Sequence, residues 1–211
     1  MKPSVLVICI GCLFIFSCKD KKDEKPVTRP VKIDSSTASK VEKTGLSYAP
    51  VDISPMDMSY FPVDYPKLKM SKTINTPPLA RVVYSRPHLQ GRTLFHEVLQ
   101  YGEPWRLGAN EATEIDFFSD AVINSKPIKA GRYILYCIPG EDNWIIVLNS
   151  NIDSWGLQLD RSKDIAQFVT PARQIPGSLE YFTIVFEQTA KGADLVMAWG
   201  NIEARLPIEF N

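Results

Sequence analysis

The stretch Ile202-Glu-Ala-Arg-Leu-Pro-Ile-Glu-Phe210 decides the fold class of this chain. Its apolar residues fall at every second position, and charged residues occupy most of the positions between them. Because successive side chains of a β-strand point to opposite faces, this alternation predicts an antiparallel strand with one buried face.

Other segments of the chain show the same period of two. Residues 182–186 and 195–199 each carry a row of apolar residues at alternate positions, and Gly200-Asn201 after the second row indicates a two-residue hairpin turn. Segments that are apolar on both faces predict central strands. These are residues 133–138 and 144–148, and further strands are predicted at 80–84, 113–118, 122–123 and 166–169.

Many short strands at close spacing, with no long helical pattern, predict an all-β fold. We expect an antiparallel, jelly-roll-like β-sandwich, and a small β-barrel is the alternative. The proline-rich start of the domain, residues 46–66, predicts an extended edge chain, because proline lacks the donor that a central strand needs. Residues 94–99 predict one or two helical turns.

The N-terminal residues predict export and lipidation. Met1-Lys2 is followed by an apolar run, residues 5–16, that is shorter than the roughly 20 residues of a spanning helix. Ile15-Phe16-Ser17-Cys18 resembles the bacterial lipobox, in which the cysteine becomes the lipidated N-terminus. We therefore expect a signal peptide at 1–17 and an outer membrane lipoprotein, on the periplasmic or cell-surface side, that is anchored by lipid (diacylglycerol and palmitate) at Cys18. An ordinary signal peptide is the alternative.

Composition separates a tether from one domain. Residues 19–45 contain 13 charged residues and no aromatic residue, so they cannot bury enough surface to fold. We expect a flexible charged tether at 18–45 and a single domain at 46–211, with its core at 79–211. The 24 basic and 24 acidic residues balance, which disfavours a nucleic-acid partner.

The chemistry-bearing residue types are sparse. The two histidines, His88 and His96, do not have the spacing of metal ligands, and no nucleophile motif is present, so we expect no cofactor and no metal site. Cys137 has no partner other than the lipidated cysteine after cleavage and is predicted to be a buried, inert thiol.

Arginines single out one long segment. Residues 81–111 contain four arginines and no lysine, whereas residues 19–45 contain seven lysines and one arginine. Because guanidinium is planar and weakly hydrated, it suits ordered and partly buried sites. Two interpretations stay open: an ion-pair network that holds the loop to the sheet, or a cradle for an anionic or polyhydroxylated ligand. The candidate binding residues are Arg86, Arg92, Trp105, Arg106, Asn110, Glu111 and Trp155.

Several short motifs resemble those of the domain of unknown function 2911 family. The most specific is Trp105-Arg-Leu-Gly-Ala-Asn-Glu-Ala-Thr113. The resemblance covers roughly residues 60–211, and it implies a secreted or lipid-anchored bacterial protein with a β-rich domain and no established activity. The other matching motifs are Tyr84-Ser-Arg-Pro87, Gly91-Arg92, Tyr101-Gly102, Lys129-Ala-Gly-Arg-Tyr133, Ile138-Pro-Gly140, Trp144-Ile-Ile146 and Trp155-Gly156.

Three functions follow from these features. The preferred one is a lipid-anchored cell-envelope protein whose sandwich binds a small anionic molecule, a carbohydrate or an envelope partner. A carbohydrate-active hydrolase is an alternative, with Glu111, Glu114 and Asp116 as candidate acids. The third is a purely structural envelope protein.

Overall fold

A computed structural model describes residues 52–210. The predicted signal peptide, Cys18 and the tether lie outside these residues. No helix within 52–210 has the length and apolar character needed to span a membrane. The described part of the chain contains one short α-helix, α1 (Tyr65–Met70), and nine strands. The strands are β1 (Met56–Phe61), β2 (Ala80–Ser85), β3 (Thr113–Phe117), β4 (Ala121–Ile123), β5 (Lys126–Ile128), β6 (Gly131–Pro139), β7 (Asn143–Asn149), β8 (Asp164–Gln188) and β9 (Gly192–Phe210).

The strands form one antiparallel sheet in the order β1-β2-β3-β6-β7-β8-β9-β4-β5. Strand β8 belongs to both halves of this sheet, because residues 164–171 pair with β7 and residues 172–188 pair with β9. Aromatic side chains of the first half meet those of the second: the ring centroids of Phe61 and Phe186 are 6.2 Å apart, and those of Tyr84 and Phe182 are 5.8 Å apart. The sheet therefore folds over itself, with the core between its halves.

This architecture confirms the all-β, sandwich-like prediction. The order ends in β1 and β5, which do not pair with each other, so the described sheet is open and the barrel alternative is wrong. The two predicted central strands are β6 and β7, and residues 134–137 of β6 are almost completely buried. Cys137 is among them, and burial raises the pKa of its thiol well above the ordinary value.

The extended edge chain predicted at 46–66 is confirmed over β1, which lies at one end of the sheet. Only its last two residues begin α1, where a proline in the first helical turn needs no hydrogen-bond donor. Two local predictions are wrong. Gly200-Asn201 makes no hairpin: β9 runs through it, and the positive φ of Gly200 (+57°) lies opposite a register shift in β8. Leu94–Val98 forms a single wide turn whose backbone is non-helical at Phe95 and His96.

Candidate functional site

Trp105 fixes the arginine-bearing loop to the core. Its backbone N–H donates to Cys137 O (2.7 Å), and the Cys137 N–H donates back to Trp105 O (2.8 Å). Its ring stacks on Trp199 at a centroid distance of 5.7 Å and meets Phe182 at 4.7 Å. The loop therefore leaves the core at a fixed point.

The residues after Trp105 wind tightly toward β3. Leu107 is fully buried although its φ is +53°, and its carbonyl accepts a hydrogen bond from the Thr113 hydroxyl. Asn110 has a φ of +58°, a conformation that asparagine tolerates, and its amide donates to Asp52 Oδ2 (3.0 Å). Arg106 and Glu111, near the two ends of this turn, line different concavities. Asn110 is thus a structural residue of the loop.

Arg86 acts as a cross-link between strands. Its guanidinium pairs with Asp57 (3.1 Å) and donates to Phe182 O (3.2 Å) and Thr183 Oγ1 (3.0 Å). It also lies 5.9 Å from the centroid of the Tyr181 ring. These contacts join β1 to β8.

Arg92 is held by its own loop. Its Nε donates to Leu89 O (2.8 Å), and its Nη2 donates to His88 O (3.0 Å). That loop is fastened to β8, because the Leu89 N–H donates to Glu180 O (3.0 Å). Within residues 52–210, Arg92 forms no ion pair within 4 Å, but hydrogen bonds from Thr93, together with the charge of Arg92, lower the pKa of nearby Glu97.

Arg106 is half-buried, whereas Arg92 is exposed. The Arg106 guanidinium donates one hydrogen bond within the described chain, from Nη1 to Trp155 O (3.4 Å). Burial lowers the pKa of its guanidinium, and no described carboxylate pairs with it. The cation therefore keeps an incompletely compensated charge.

Arg92, Trp105 and Arg106 line one cleft of about 390 Å³, which we call the cationic cleft. None of the described residues that line it is acidic. The other lining residues are Ser54, Pro87, Val98, Leu99, Pro104, Gly108, Ala109, Gly156, Leu157 and Trp199.

Gly156 brings a second loop against this cleft. Its φ is +78°, and a Cβ at this position would lie 2.8 Å from Ala112 Cβ and 3.0 Å from Arg106 Cβ. Only glycine allows this approach without displacing the neighbouring loop. The preceding Trp155 is 61% exposed, and its carbonyl is the one that Arg106 contacts.

Glu111 and Trp155 line a separate concavity of about 340 Å³, which we call the acidic concavity. Glu114 and Asp153 also line it, and Arg132 lies between their carboxylates, 3.6 Å from Glu114 and 2.7 Å from Asp153. Burial raises the pKa of Glu114, and Arg132 opposes this effect. The predicted site is therefore divided: Glu111 and Trp155 do not share the cleft of Arg92 and Arg106.

A family-model match includes most residues that line the cationic cleft and the acidic concavity. A family model described as a protein of unknown function (DUF2911) matches residues 66–208, which is more than half of the chain. The chain belongs to this family. No curated protein and no solved structure matches the chain. The DUF2911 match includes both arginines of the cationic cleft and the Trp155-Gly156 pair.

The acids proposed for hydrolysis do not form one free pair. Asp116 Oδ2 accepts from Arg81 Nε (2.9 Å) and Nη2 (2.6 Å), so this carboxylate is engaged outside the acidic concavity. Glu111 and Glu114 line that concavity without it. Within residues 52–210, no group of three or more His, Cys, Asp or Glu side chains is arranged to hold a metal ion.

The sequence did not identify the apolar wall of the cationic cleft in this DUF2911 protein. Val98, Leu99 and Leu157 are unremarkable in sequence, and they reach the cleft from two separate loops. A usable signal for Leu157 is its position directly after the Trp155-Gly156 motif. The apolar row at residues 195–199 predicts that Trp199 points inward, but not that it lines a cleft.

Proposed function

We propose that this DUF2911 protein is a lipid-anchored binding protein of the cell envelope, and that its cationic cleft holds a small anionic ligand. The observation that supports the proposal is the pair Arg92 and Arg106, which share one cleft and contact only backbone carbonyls in the described chain. Arg106 is partly desolvated and has no carboxylate partner in the described chain, which costs free energy that an anion in the cleft offsets. Exposed Arg92 adds a second positive charge to the same cleft.

The unused donors suit carboxylate or phosphate. A guanidinium carries five N–H groups, of which Arg92 uses two and Arg106 one on backbone oxygens. The remaining donors of each arginine lie in one plane and match the two oxygens of a carboxylate or phosphate. The ligand therefore carries such a group.

Arginine substitutions separate binding from structure. We expect isothermal titration calorimetry of the lipidated full chain in lipid nanodiscs to show saturable binding of small carboxylates or phosphates. Arg106→Gln should weaken that binding at least tenfold with little change in melting temperature. Arg173→Gln removes the same charge from an exposed position on β8 outside the cleft and serves as the matched control.

The proposal fails if Arg106→Gln, like the control Arg173→Gln, binds anions as tightly as the wild type does. If Arg106→Gln instead unfolds the protein while anion binding is absent in the wild type, the purely structural function is the better account.

The lipid anchor is tested separately. We expect Cys18 to incorporate an alkyne-labelled fatty acid in growing cells, and Cys18→Ser to lose both the label and the membrane association. Cys137→Ala, which removes the buried thiol, should keep both. Labelling that survives in Cys18→Ser contradicts the anchor.

A further inference from the structure

Of the two tryptophans at the cationic cleft, partly exposed Trp105 presents carbon surface to it, whereas Trp199 is only 1% exposed and lies behind it. The indole N–H of Trp105 donates to Gly108 O (3.1 Å), and that of Trp199 donates to Glu180 O (3.0 Å). The only polar atom of each indole is therefore already bonded within the protein, and the Trp105 ring offers a ligand apolar contact alone.

The other walls add very little hydrogen-bonding capacity. Among the described residues that line the cleft, only Ser54, Arg92 and Arg106 have a side-chain polar group that is not in an indole. The remaining side chains are aliphatic, proline or too small to bond. A ligand that carries hydroxyl groups along its whole length would leave most of them without a side-chain partner, at a cost for each buried group.

A large apolar side chain stands in water at this cleft. Leu157 lines it and is 73% exposed, in a loop that Gly156 fixes against Arg106. A single exposed leucine is ordinary on a protein surface; its place on the lining of the cleft is what makes Leu157 available to a ligand. Apolar ligand atoms in contact with Leu157 would be removed from water together with it.

On the basis of the proposed function, we infer that the ligand is an amphiphilic anion. One carboxylate or phosphate group contacts Arg92 and Arg106, and an apolar chain or ring system packs against Leu157 and Trp105. The cleft volume of about 390 Å³ has room for on the order of a dozen water-sized groups at roughly 30 Å³ each. A medium-chain fatty acid and a monoalkyl phosphate both have this size.

Matched probes separate the contribution of the ligand's charged head group to binding from that of its apolar body. We would titrate the lipidated full chain in lipid nanodiscs with octanoate, octyl phosphate, acetate, 1-octanol and gluconate, and subtract empty nanodiscs. Octanoate or octyl phosphate should bind at least tenfold more tightly than acetate, octanol or gluconate. The ratio between octanoate and octyl phosphate then distinguishes a free fatty acid from a phosphate head group.

A substitution on the apolar wall supplies a second test. Leu157→Ser should raise the Kd for octanoate or octyl phosphate about three- to tenfold and leave the weak binding of acetate unchanged, because only the apolar contact is lost. Ile152→Ser, in the same loop but outside the described lining of the cleft, should have no effect.

The outcomes distinguish this inference from the proposed function. If acetate or gluconate binds as tightly as octanoate, and Arg106→Gln abolishes that binding, the amphiphile is wrong while anion binding stands. If Leu157→Ser leaves the Kd for octanoate unchanged, the inference is also contradicted. If no anion binds in an Arg106-dependent manner, both proposals fail.

Discussion

At the scale of single residues, the arginines of one segment have different roles. Arg86 pairs with Asp57 and bonds β8, which is the structural role expected of an ion-pair network. Arg92 and Arg106 contact only carbonyl oxygens within residues 52–210. The excess of arginine over lysine in residues 81–111 is visible in the sequence. The division of roles is not, because the partners Asp57 and Phe182 are distant in the chain.

The structural role of Arg86 predicts a loss of stability on substitution. Arg86→Ala removes donors from Phe182 O and Thr183 Oγ1 and the counter-charge of the half-exposed Asp57, so we expect the free energy of unfolding to fall by about 1–2 kcal/mol. Urea denaturation measures this change. Arg173→Ala, on the exposed surface, should change it by less than about 0.5 kcal/mol. Equal effects of the two substitutions would count against the cross-link.

Glu114 predicts a pH dependence of stability. Because burial raises its pKa in the folded state, with the charges of Asp153 and Asp116 adding to this effect, ionisation of Glu114 opposes folding. Its unfavourable contribution is absent below the unfolded-state pKa and complete above the raised folded-state pKa. We therefore expect Glu114→Gln to increase the difference between the free energy of unfolding at pH 7 and at pH 4.

A surface carboxylate with the opposite shift provides the control. Hydrogen bonds from Lys129 and the Ala130 backbone N–H lower the pKa of Asp120, so Asp120→Asn should decrease the same pH 7 to pH 4 difference. Urea titrations at both pH values measure the two variants. A change of the same sign in both would show that the burial of Glu114 does not control its ionisation.

At the scale of elements, the alternation of residues 202–210 was sufficient to predict a strand, because burial of one face is a local property of the sequence. The start of that strand could not be predicted from local sequence, because β9 continues through Gly200-Asn201 and begins at Gly192. Gly200 lies opposite Leu179, where the register of β8 shifts, and no residue near Gly200-Asn201 indicates this shift in the sequence. The cationic cleft was missed in part for the same reason, since Arg92 and Leu157 come from different loops.

The contact between these loops predicts a strong effect at Gly156. Gly156→Ala meets both a positive φ and crowding against Ala112 and Arg106, whereas Gly102→Ala meets a φ of +80° with no atom within 4 Å. We expect Gly102→Ala to cost about 1–2 kcal/mol of folding free energy, and Gly156→Ala to cost more.

Gly156→Ala should also weaken anion binding, because the added methyl group meets Arg106 Cβ and displaces this side chain from its place in the cleft. Chemical denaturation and calorimetry measure the two effects. If Gly156→Ala costs no more than Gly102→Ala and binds anions normally, the close approach of the loops has no role in the site.

At the scale of the whole described domain, β8 joins the two layers and positions the Arg92 loop at the cleft. Its register shifts on either side of Leu179 leave residues 180–182 free to bond elsewhere. Glu180 O accepts from the Leu89 N–H and from the Trp199 indole, and the Phe182 N–H donates to Pro87 O (2.9 Å). The irregular part of β8 therefore holds the Arg92 loop beside Trp199. In the sequence, Pro176-Gly177 indicates that β8 is irregular near this point, but it does not indicate which residues the unpaired backbone groups bond.

The central claim is that an anion contacts Arg92 and Arg106 and no other arginine of the described domain. Nitrogen-15 NMR of the arginine Nε–H groups observes this directly during titration with octanoate, with each signal assigned by substitution. We predict saturable shifts of the Arg92 and Arg106 signals, while those of Arg86, which is bound to Asp57, and of exposed Arg173 stay in place. Shifts of equal size at all four arginines, or none at Arg92 and Arg106, would contradict the account.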